Sequence, residues 1–271
     1  MSKKPKGLYH EHYNAAKSDS GWENQFVDQP RQAEEIILAK LADLYSPQDH
    51  FRVLDLGCGD GSFARHLANR FPAAEVNAWD PAEDLIKSSS HNPSTKIKWN
   101  TFNCFDDSPL LKDYNNYFDC ITALATTQVL SGHPKTSEVL AQIELFFNCV
   151  STLLRDKDCF FVNFDGYHDF PEYKLISHHW EIDDEYAADH LAPRVRLPEC
   201  TYNYPSMAWL ERTLRLQGFD NVQITKFNLK DVHLESANEP GSTYTKVNSS
   251  GEICSMLNIV EQPWKHVFAR R

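Results

Sequence analysis

The residues best suited to chemistry begin with VLDLGCGDG, residues 53–61, where three glycines fall within five positions after an apolar run. Such a cluster lets the backbone turn sharply or approach a ligand closely. Asp80 lies 19 residues after Gly61, at the end of the next apolar segment. An acid in that place can accept hydrogen bonds from ribose hydroxyls. The pattern indicates a nucleoside site, and the alternative is a tight turn with no ligand.

The spacing of the glycines argues against a dinucleotide as the ligand. The dinucleotide pattern GxGxxG fails because Ser62 stands at its third glycine position, which leaves the form GxGxG. Asp55 lies two residues before the first glycine, inside the apolar run. A carboxylate there would repel a pyrophosphate but would attract a cation. A cationic nucleoside is therefore favoured.

A second group of candidates lies in DGYHDFPEYKLISHHWEIDDEYAADH, residues 165–190, with eight acids, five aromatic residues and four histidines. Aromatic faces and carboxylates suit an amine or a cationic substrate, whereas a histidine could act as a base towards a phenol or an alcohol. Asp165 and His168 follow an apolar strand-like run directly and are the candidate catalytic residues, because active-site groups gather at that edge of such a sheet. The segment IDDEYAADH has the simpler interpretation of a solvated helix face.

The elements that must position these residues alternate between apolar strand-like runs and helical patterns. The sequence predicts strands at 51–57, 74–80, 96–102, 118–126 and 158–164, with helices at 29–45, 60–71, from 81 onwards and at 137–155. This alternation is typical of an α/β fold with a doubly wound parallel sheet. Further along, the sequence predicts a helix at 207–219 and an antiparallel pair of strands at 222–229 and 264–271.

Several of these segments resemble motifs of the class I S-adenosylmethionine-dependent methyltransferases. VLDLGCGDG resembles motif I, WDPAEDLI the second motif, and YFDCITALATTQVL (117–130) the fourth, while QGFDNVQI and HVFARR resemble strand six and strand seven. The resemblance implies a seven-stranded Rossmann-like sheet over residues 51–271, with strand seven antiparallel. It also implies an N-terminal helical cap at residues 1–50 and a lid insertion after strand five, at about 166–205.

The same resemblance implies S-adenosylmethionine as the cofactor and assigns residues to it. Gly57 and Gly59 would let the backbone approach its amino-acid and ribose parts, and Asp55 would lie near its ammonium group. Asp80 would hold the two ribose hydroxyls. Tyr13, with Tyr9 before it, would belong to the cap, or both are surface tyrosines.

The adenine end of the cofactor is assigned in the same way. FNCFD (102–106) stands where the family contacts the adenine. Asn103, where the family usually has Asp, would face the adenine amino group, with the backbone N–H of Cys104 nearby. Pro81 and the end of strand four, Ala123 and Leu124, would pack against the adenine faces.

The implied function is transfer of a methyl group to N or O of a small molecule, with amines and secondary metabolites as candidates. The [DN]PP[YF] stretch of members that methylate DNA bases or glutamine is replaced by ALATTQ, and its Thr127 and the next residue, Gln128, would lie near the methyl group. The alternatives are an RNA or protein methyltransferase and a cofactor-binding scaffold or cyclase without methyl transfer.

Composition argues against several classes of partner and site. The net charge of −11 argues against a nucleic-acid partner, since binding phosphates requires clustered Lys and Arg. The seven scattered cysteines include no CxxC pair, which favours reduced thiols and no metal site. No apolar run approaches the roughly 20 residues of a membrane span, and no secretory signal is recognised. A cytoplasmic location is expected, and the sequence carries no signal for an oligomeric state.

Overall fold

A computed structural model of the chain describes twelve stretches of its backbone. These are residues 28–91, 96–124, 126–127, 136–155, 160–166, 181–183, 191–196, 201–205, 207–230, 244–247, 253–256 and 261–271. The first half of the predicted cap, including Tyr9 and Tyr13, lies outside them, and so does much of the predicted lid, including His168.

The described elements are given in chain order. The helices are α1 Asp28–Ala42, α2 Ser62–Arg70, α3 Glu83–Ser90, α4 Pro109–Asp113, α5 Thr136–Leu153 and α6 Met207–Leu216. The first six strands are β1 Arg52–Leu56, β2 Glu75–Asp80, β3 Lys98–Thr101, β4 Cys120–Leu124, β5 Phe160–Gly166 and β6 Glu181–Asp183. The other six are β7 Leu191–Arg196, β8 Thr201–Pro205, β9 Asn221–Lys230, β10 Tyr244–Val247, β11 Ile253–Met256 and β12 Glu261–Arg270.

The central sheet has seven strands in the order β3-β2-β1-β4-β5-β12-β9. Strands β1 to β5 pair in parallel, and β12 pairs antiparallel with both β5 and β9. The predicted α/β class with a parallel sheet is confirmed. The strand order reverses between β1 and β4, and ligands of such sheets bind at the carboxyl ends of the strands beside that reversal.

Helices pack on both faces of the sheet. Successive residues of the inner strands point to opposite sides, so both faces carry apolar side chains that helices can bury. Val53 of β1 belongs to an apolar cluster that includes buried residues of α1 and α2. Leu54, the next residue, belongs to a second cluster built with α5 and α6. Strand β1 is therefore held from two sides, which fixes where its carboxyl end lies.

The sequence patterns did not predict helix α4 or the two small sheets, β6-β7-β8 and β10-β11. Helix α4 is only five residues long, too short for a helical period to show. Its start does carry a signal, since the Ser108 hydroxyl accepts a hydrogen bond from the Leu110 N–H at 3.3 Å, with Pro109 in the first turn. Among the described helices, none has the length and apolar character needed to span a membrane.

Candidate cofactor site

The loop between β1 and α2 is a tight turn that only glycine fits well. Gly57, Gly59 and Gly61 all adopt positive φ, at 79°, 56° and 75°, a region that side chains disfavour. The N–H groups of Gly57 and Cys58 both donate to the carbonyl of Trp79, at 2.8 and 3.2 Å. The loop is thereby fixed to the end of β2.

The three glycines differ in what surrounds them. A Cβ on Gly57 would lie 2.5 Å from the Oγ1 atom of Thr126, and one on Gly61 would overlap the indole ring of Trp99. A Cβ on Gly59 would meet no atom of the described residues within 4 Å. Gly57 and Gly61 are therefore required by protein packing, whereas Gly59 borders open space that a ligand can enter.

Asp80 joins this loop to the start of α3. Its Oδ2 atom accepts a hydrogen bond from the Gly59 N–H at 2.9 Å, and its Oδ1 atom accepts one from the Ala82 N–H at 2.8 Å. The residue is 9% exposed. Its carboxylate therefore holds the Gly59 and Ala82 backbone together at the end of β2.

Asp55 is a buried acid with an unused oxygen. The residue is 1% exposed, and its Oδ1 atom lies 3.4 Å from the Thr122 hydroxyl. Its Oδ2 atom has no hydrogen-bond partner within the part of the chain that the structure describes. Burial is the largest cause that raises the pKa of Asp55 to about 8, against the opposing effect of the Thr122 hydrogen bond. The nearby charges of Glu34, Asp80 and Asp60 raise the pKa further. A cationic ligand group would stabilise the ionised form of this carboxyl.

The residues assigned to the adenine differ in accessibility. Pro81 is exposed and Leu124 is half-buried, whereas Ala123 lies fully buried in the apolar cluster with α5 and α6. Leu124 is thus better placed than Ala123 to contact a ligand. The Oδ1 atom of Asn103 accepts a hydrogen bond from the Phe105 N–H at 3.1 Å, so this oxygen already stabilises the local turn.

The sequence of this site matches a known family. Residues 53–145, about a third of the chain, match the family model of a methyltransferase domain. These residues are similar to a methyltransferase domain, in keeping with the resemblance of their motifs to the class I S-adenosylmethionine-dependent methyltransferases. The cofactor of that family carries a sulfonium and an ammonium group on a nucleoside, which fits the open space at Gly59 and the unpartnered oxygen of Asp55.

Individual relatives support the methyltransferase domain and the fold. A malonyl-(acyl-carrier protein) O-methyltransferase from Bacillus cytotoxicus is 31% identical over 108 residues, which cover 40% of this chain and 36% of the relative. A trans-aconitate 2-methyltransferase from Mycolicibacterium gilvum is 45% identical over 38 residues, or 14% of this chain and 15% of the relative. The match therefore spans about a third or less of these relatives. A SAM-dependent methyltransferase structure from Anabaena variabilis has a TM-score of 0.58 at 12% identity, with 97% and 93% coverage, and shares the fold.

Some of the candidate residues do not lie in the described part of this site. Asp165 is the penultimate residue of β5, paired in register with Lys265 of β12, while His168 and Gln128 fall outside the described residues. Thr127 is fully buried. Within the described part of the chain, no group of three or more His, Cys, Asp or Glu side chains is placed to hold a metal ion.

Three residues that support the loop were not found from the sequence. The Thr126 hydroxyl donates to the Leu56 carbonyl at 3.0 Å, Trp99 packs over Gly61, and the Ser89 hydroxyl donates to the Asp60 carbonyl at 2.6 Å. Each is distant in sequence from the loop, so no local pattern indicates its contact with the loop. In the sequence, only the glycines indicated that other side chains would approach this loop closely.

Proposed function

We propose that the chain is a methyltransferase that uses S-adenosylmethionine to methylate N or O of a small molecule. The observation that carries the proposal is the open space at Gly59, bordered by the Asp80 carboxylate, at the carboxyl ends of β1 and β2. When bound, the cofactor supplies a methyl group activated by a positively charged sulfur. The names of the relatives, a malonyl-(acyl-carrier protein) O-methyltransferase and a trans-aconitate 2-methyltransferase, favour a metabolite or carrier-bound acceptor.

In this proposal, the chain's own residues bind the cofactor and exclude water. Gly57 and Gly59 line its amino-acid and ribose parts, Asp80 holds the ribose hydroxyls, and Asp55 faces the ammonium group. Tyr13 belongs to a cap at residues 1–50 that covers the cofactor. The adenine is held by Pro81, Asn103, the Cys104 backbone and the end of β4, where Leu124 is more accessible than Ala123.

The acceptor would bind under a lid at about residues 166–205, where water exclusion favours transfer. His168 or Asp165 is proposed to accept the acceptor's proton, because hydroxyl and ammonium groups carry one at neutral pH. The abundance of acids and aromatic residues in this segment favours an amine or a cationic acceptor. The cytoplasmic location and the absence of a nucleic-acid partner remain predictions.

Binding of the cofactor should release a proton from Asp55. With a pKa of about 8 in the ligand-free protein, this carboxyl is about nine-tenths protonated at pH 7, and an ammonium group beside it favours ionisation. We expect a release of about 0.9 proton at pH 7, nearly one at pH 6 and about half at pH 8. Calorimetric titrations with S-adenosylhomocysteine in buffers of different ionisation enthalpy measure this number.

Two controls make the proton release specific. Asp55→Asn cannot release the proton, and 5′-methylthioadenosine lacks the amino-acid arm, so neither titration should depend on the buffer. An equal release from Asp55→Asn would contradict the assignment of the proton to this carboxyl.

The acceptor class can be tested with a labelled methyl donor. Incubation of the protein with amines, phenols, carboxylic acids, basic peptides and small RNAs should label small molecules, with the strongest labelling in the amines. His168→Asn or Asp165→Asn should lower kcat at least about tenfold, within the usual contribution of general-base catalysis. Labelling of RNA or peptide alone would contradict the small-molecule assignment, and donor binding without any transfer would favour the scaffold or cyclase alternative.

A further inference from the structure

Thr122 of β4 lies beside Asp55 of β1, the buried acid of the site. The two residues are partners in the parallel register of these strands, so their side chains point to the same face of the sheet. The strand order reverses between β1 and β4, which is where sheets of this kind bind their ligands. Thr122 is fully buried, and its hydroxyl group is therefore shielded from bulk water.

The hydroxyl group of Thr122 has two acceptors within reach. Its Oγ1 atom lies 3.3 Å from the Leu54 carbonyl oxygen and 3.4 Å from Oδ1 of Asp55. The Oδ2 atom of Asp55, by contrast, has no hydrogen-bond partner among the described residues. The last torsion of an aspartate side chain is intrinsically soft, so a partner on Oδ1 is needed to fix the direction in which Oδ2 points.

The same hydroxyl group can serve both protonation states of Asp55. A threonine hydroxyl has one donor hydrogen and two acceptor lone pairs, and it donates to Oδ1 when the carboxyl is ionised. When the carboxyl is neutral, its proton can be donated from Oδ1 to the hydroxyl oxygen, while the hydroxyl hydrogen turns to the Leu54 carbonyl. Both states thus keep a hydrogen bond between two buried groups, whose loss would be costly.

We propose that Thr122 is a positioning residue that holds the Oδ2 atom of Asp55 towards ligands with an ammonium group. The inference rests on the proposed use of S-adenosylmethionine, with Asp55 as the group that contacts the ammonium. A hydrogen bond to an ionised acceptor is stronger than one between neutral groups, so Thr122 also favours the charged carboxyl that pairs with a cation. The nucleoside part of the ligand is assigned to other residues, and Thr122 should therefore affect the amino-acid arm alone.

The test compares two ligands that differ in the amino-acid arm. Thr122→Val removes the hydroxyl group and keeps the shape of the side chain. It should weaken binding of S-adenosylhomocysteine, which carries the ammonium group, about tenfold. Binding of 5′-methylthioadenosine, which lacks that group, should change by less than about twofold.

Matched variants separate this role from a purely structural one. Thr122→Ser keeps the hydroxyl group and should restore the preference for S-adenosylhomocysteine. Thr213→Val removes another buried hydroxyl, on α6, which packs on the other face of the sheet, and should alter neither affinity. If Thr122→Val does not fold, Thr122→Ala and Thr122→Ser form a second pair that differs by the hydroxyl group alone.

The proton released on binding gives a readout that a structural role would not move. Burial raises the pKa of Asp55 most, the charges of Glu34 on α1, Asp80 on β2 and Asp60 in the glycine loop raise it further, and the Thr122 hydrogen bond lowers it. Thr122→Val should therefore raise this pKa in the ligand-free protein, and more of the carboxyl is protonated before binding. At pH 8 the release to solvent on binding S-adenosylhomocysteine should rise from about half a proton to clearly more than half.

The outcomes distinguish the inference from the proposed function. Selective weakening of S-adenosylhomocysteine in Thr122→Val, reversed in Thr122→Ser, supports the inference. Equal weakening of both ligands, or no change in either, overturns it and leaves the proposed function intact. If the wild-type protein binds neither ligand, the proposed function fails and the inference fails with it.

Discussion

Asp80→Ala should weaken cofactor binding by more than about 100-fold. The carboxylate is proposed to accept hydrogen bonds from two ribose hydroxyls, and hydrogen bonds to charged groups contribute about 1.5–3 kcal/mol each. Since about 1.4 kcal/mol corresponds to a tenfold change in Kd, the loss of two such bonds gives at least that weakening. Calorimetry with S-adenosylhomocysteine measures it.

The same substitution should also lower the stability of the loop. Asp80 accepts the N–H groups of Gly59 and Ala82, and a buried N–H left without an acceptor costs about 1–3 kcal/mol. Thermal unfolding without ligand should therefore show a lower Tm. This loss acts on binding as well, because the Gly59 backbone is no longer held towards the ligand.

Two controls test the reason given for the effect. Asp84→Ala removes the same charge from the first turn of α3 at an exposed position and should leave the affinity unchanged. Asp80→Asn keeps one acceptor oxygen and should fall between wild type and Asp80→Ala. An Asp80→Ala protein that binds the cofactor normally would refute the location of the site.

Gly57→Ala should destabilise the protein by about 3 kcal/mol. A positive φ costs an L-residue about 1–2 kcal/mol, and overpacking adds about 1–3 kcal/mol. Overpacking is expected because the new Cβ would lie 2.5 Å from the Thr126 Oγ1 atom, which is itself held by the Leu56 carbonyl. A fall in Tm of roughly 6–12 °C should result for a domain of this size.

Gly59→Ala should destabilise the protein less than Gly57→Ala and should weaken cofactor binding instead. Its Cβ would approach none of the residues described in the structure within 4 Å, so only the cost of the positive φ, about 1–2 kcal/mol, applies. The methyl group would instead occupy the space proposed for the ligand and should weaken cofactor binding at least about tenfold, since an overpacked contact costs about 1–3 kcal/mol.

Gly218→Ala is the matched control for both loop variants. Gly218 has a φ of 90°, and a Cβ there would approach only the Arg271 side chain, at 3.8 Å. It should therefore show the cost of the positive φ alone, without any change in cofactor affinity. If Gly57→Ala is no less stable than Gly218→Ala, the packing of Thr126 against the loop is wrong.

Local patterns in the sequence were sufficient for the framework of the site. The alternation of apolar strands and helices predicts the parallel sheet, because both periods depend on neighbouring residues. Positive φ at Gly57, Gly59 and Gly61 agrees with the expectation of a sharp turn. Asp80 stands at the end of β2, as its spacing indicated. Its hydrogen bond from the Gly59 N–H is a contact that the spacing did not predict.

The tertiary structure alone decided which of these residues border open space. Gly57 and Gly59 are equivalent in sequence, but Thr126 fills the space beside the first and leaves the second open. Ala123 and Leu124 are adjacent, yet the alternation of the strand buries one and leaves the other partly accessible. These outcomes depend on contacts between elements far apart in the chain, which no local pattern encodes.

The sequence by itself thus determined the sheet, the glycine turn, the acid at the end of β2 and the class of cofactor. Only the folded chain buried Asp55 of β1 and left its Oδ2 atom without a hydrogen-bond partner among the described residues. The physical reason is that the ionisation of a carboxyl group depends on its burial and on the charges around it. Both are set by how α1 and α2 pack on the sheet.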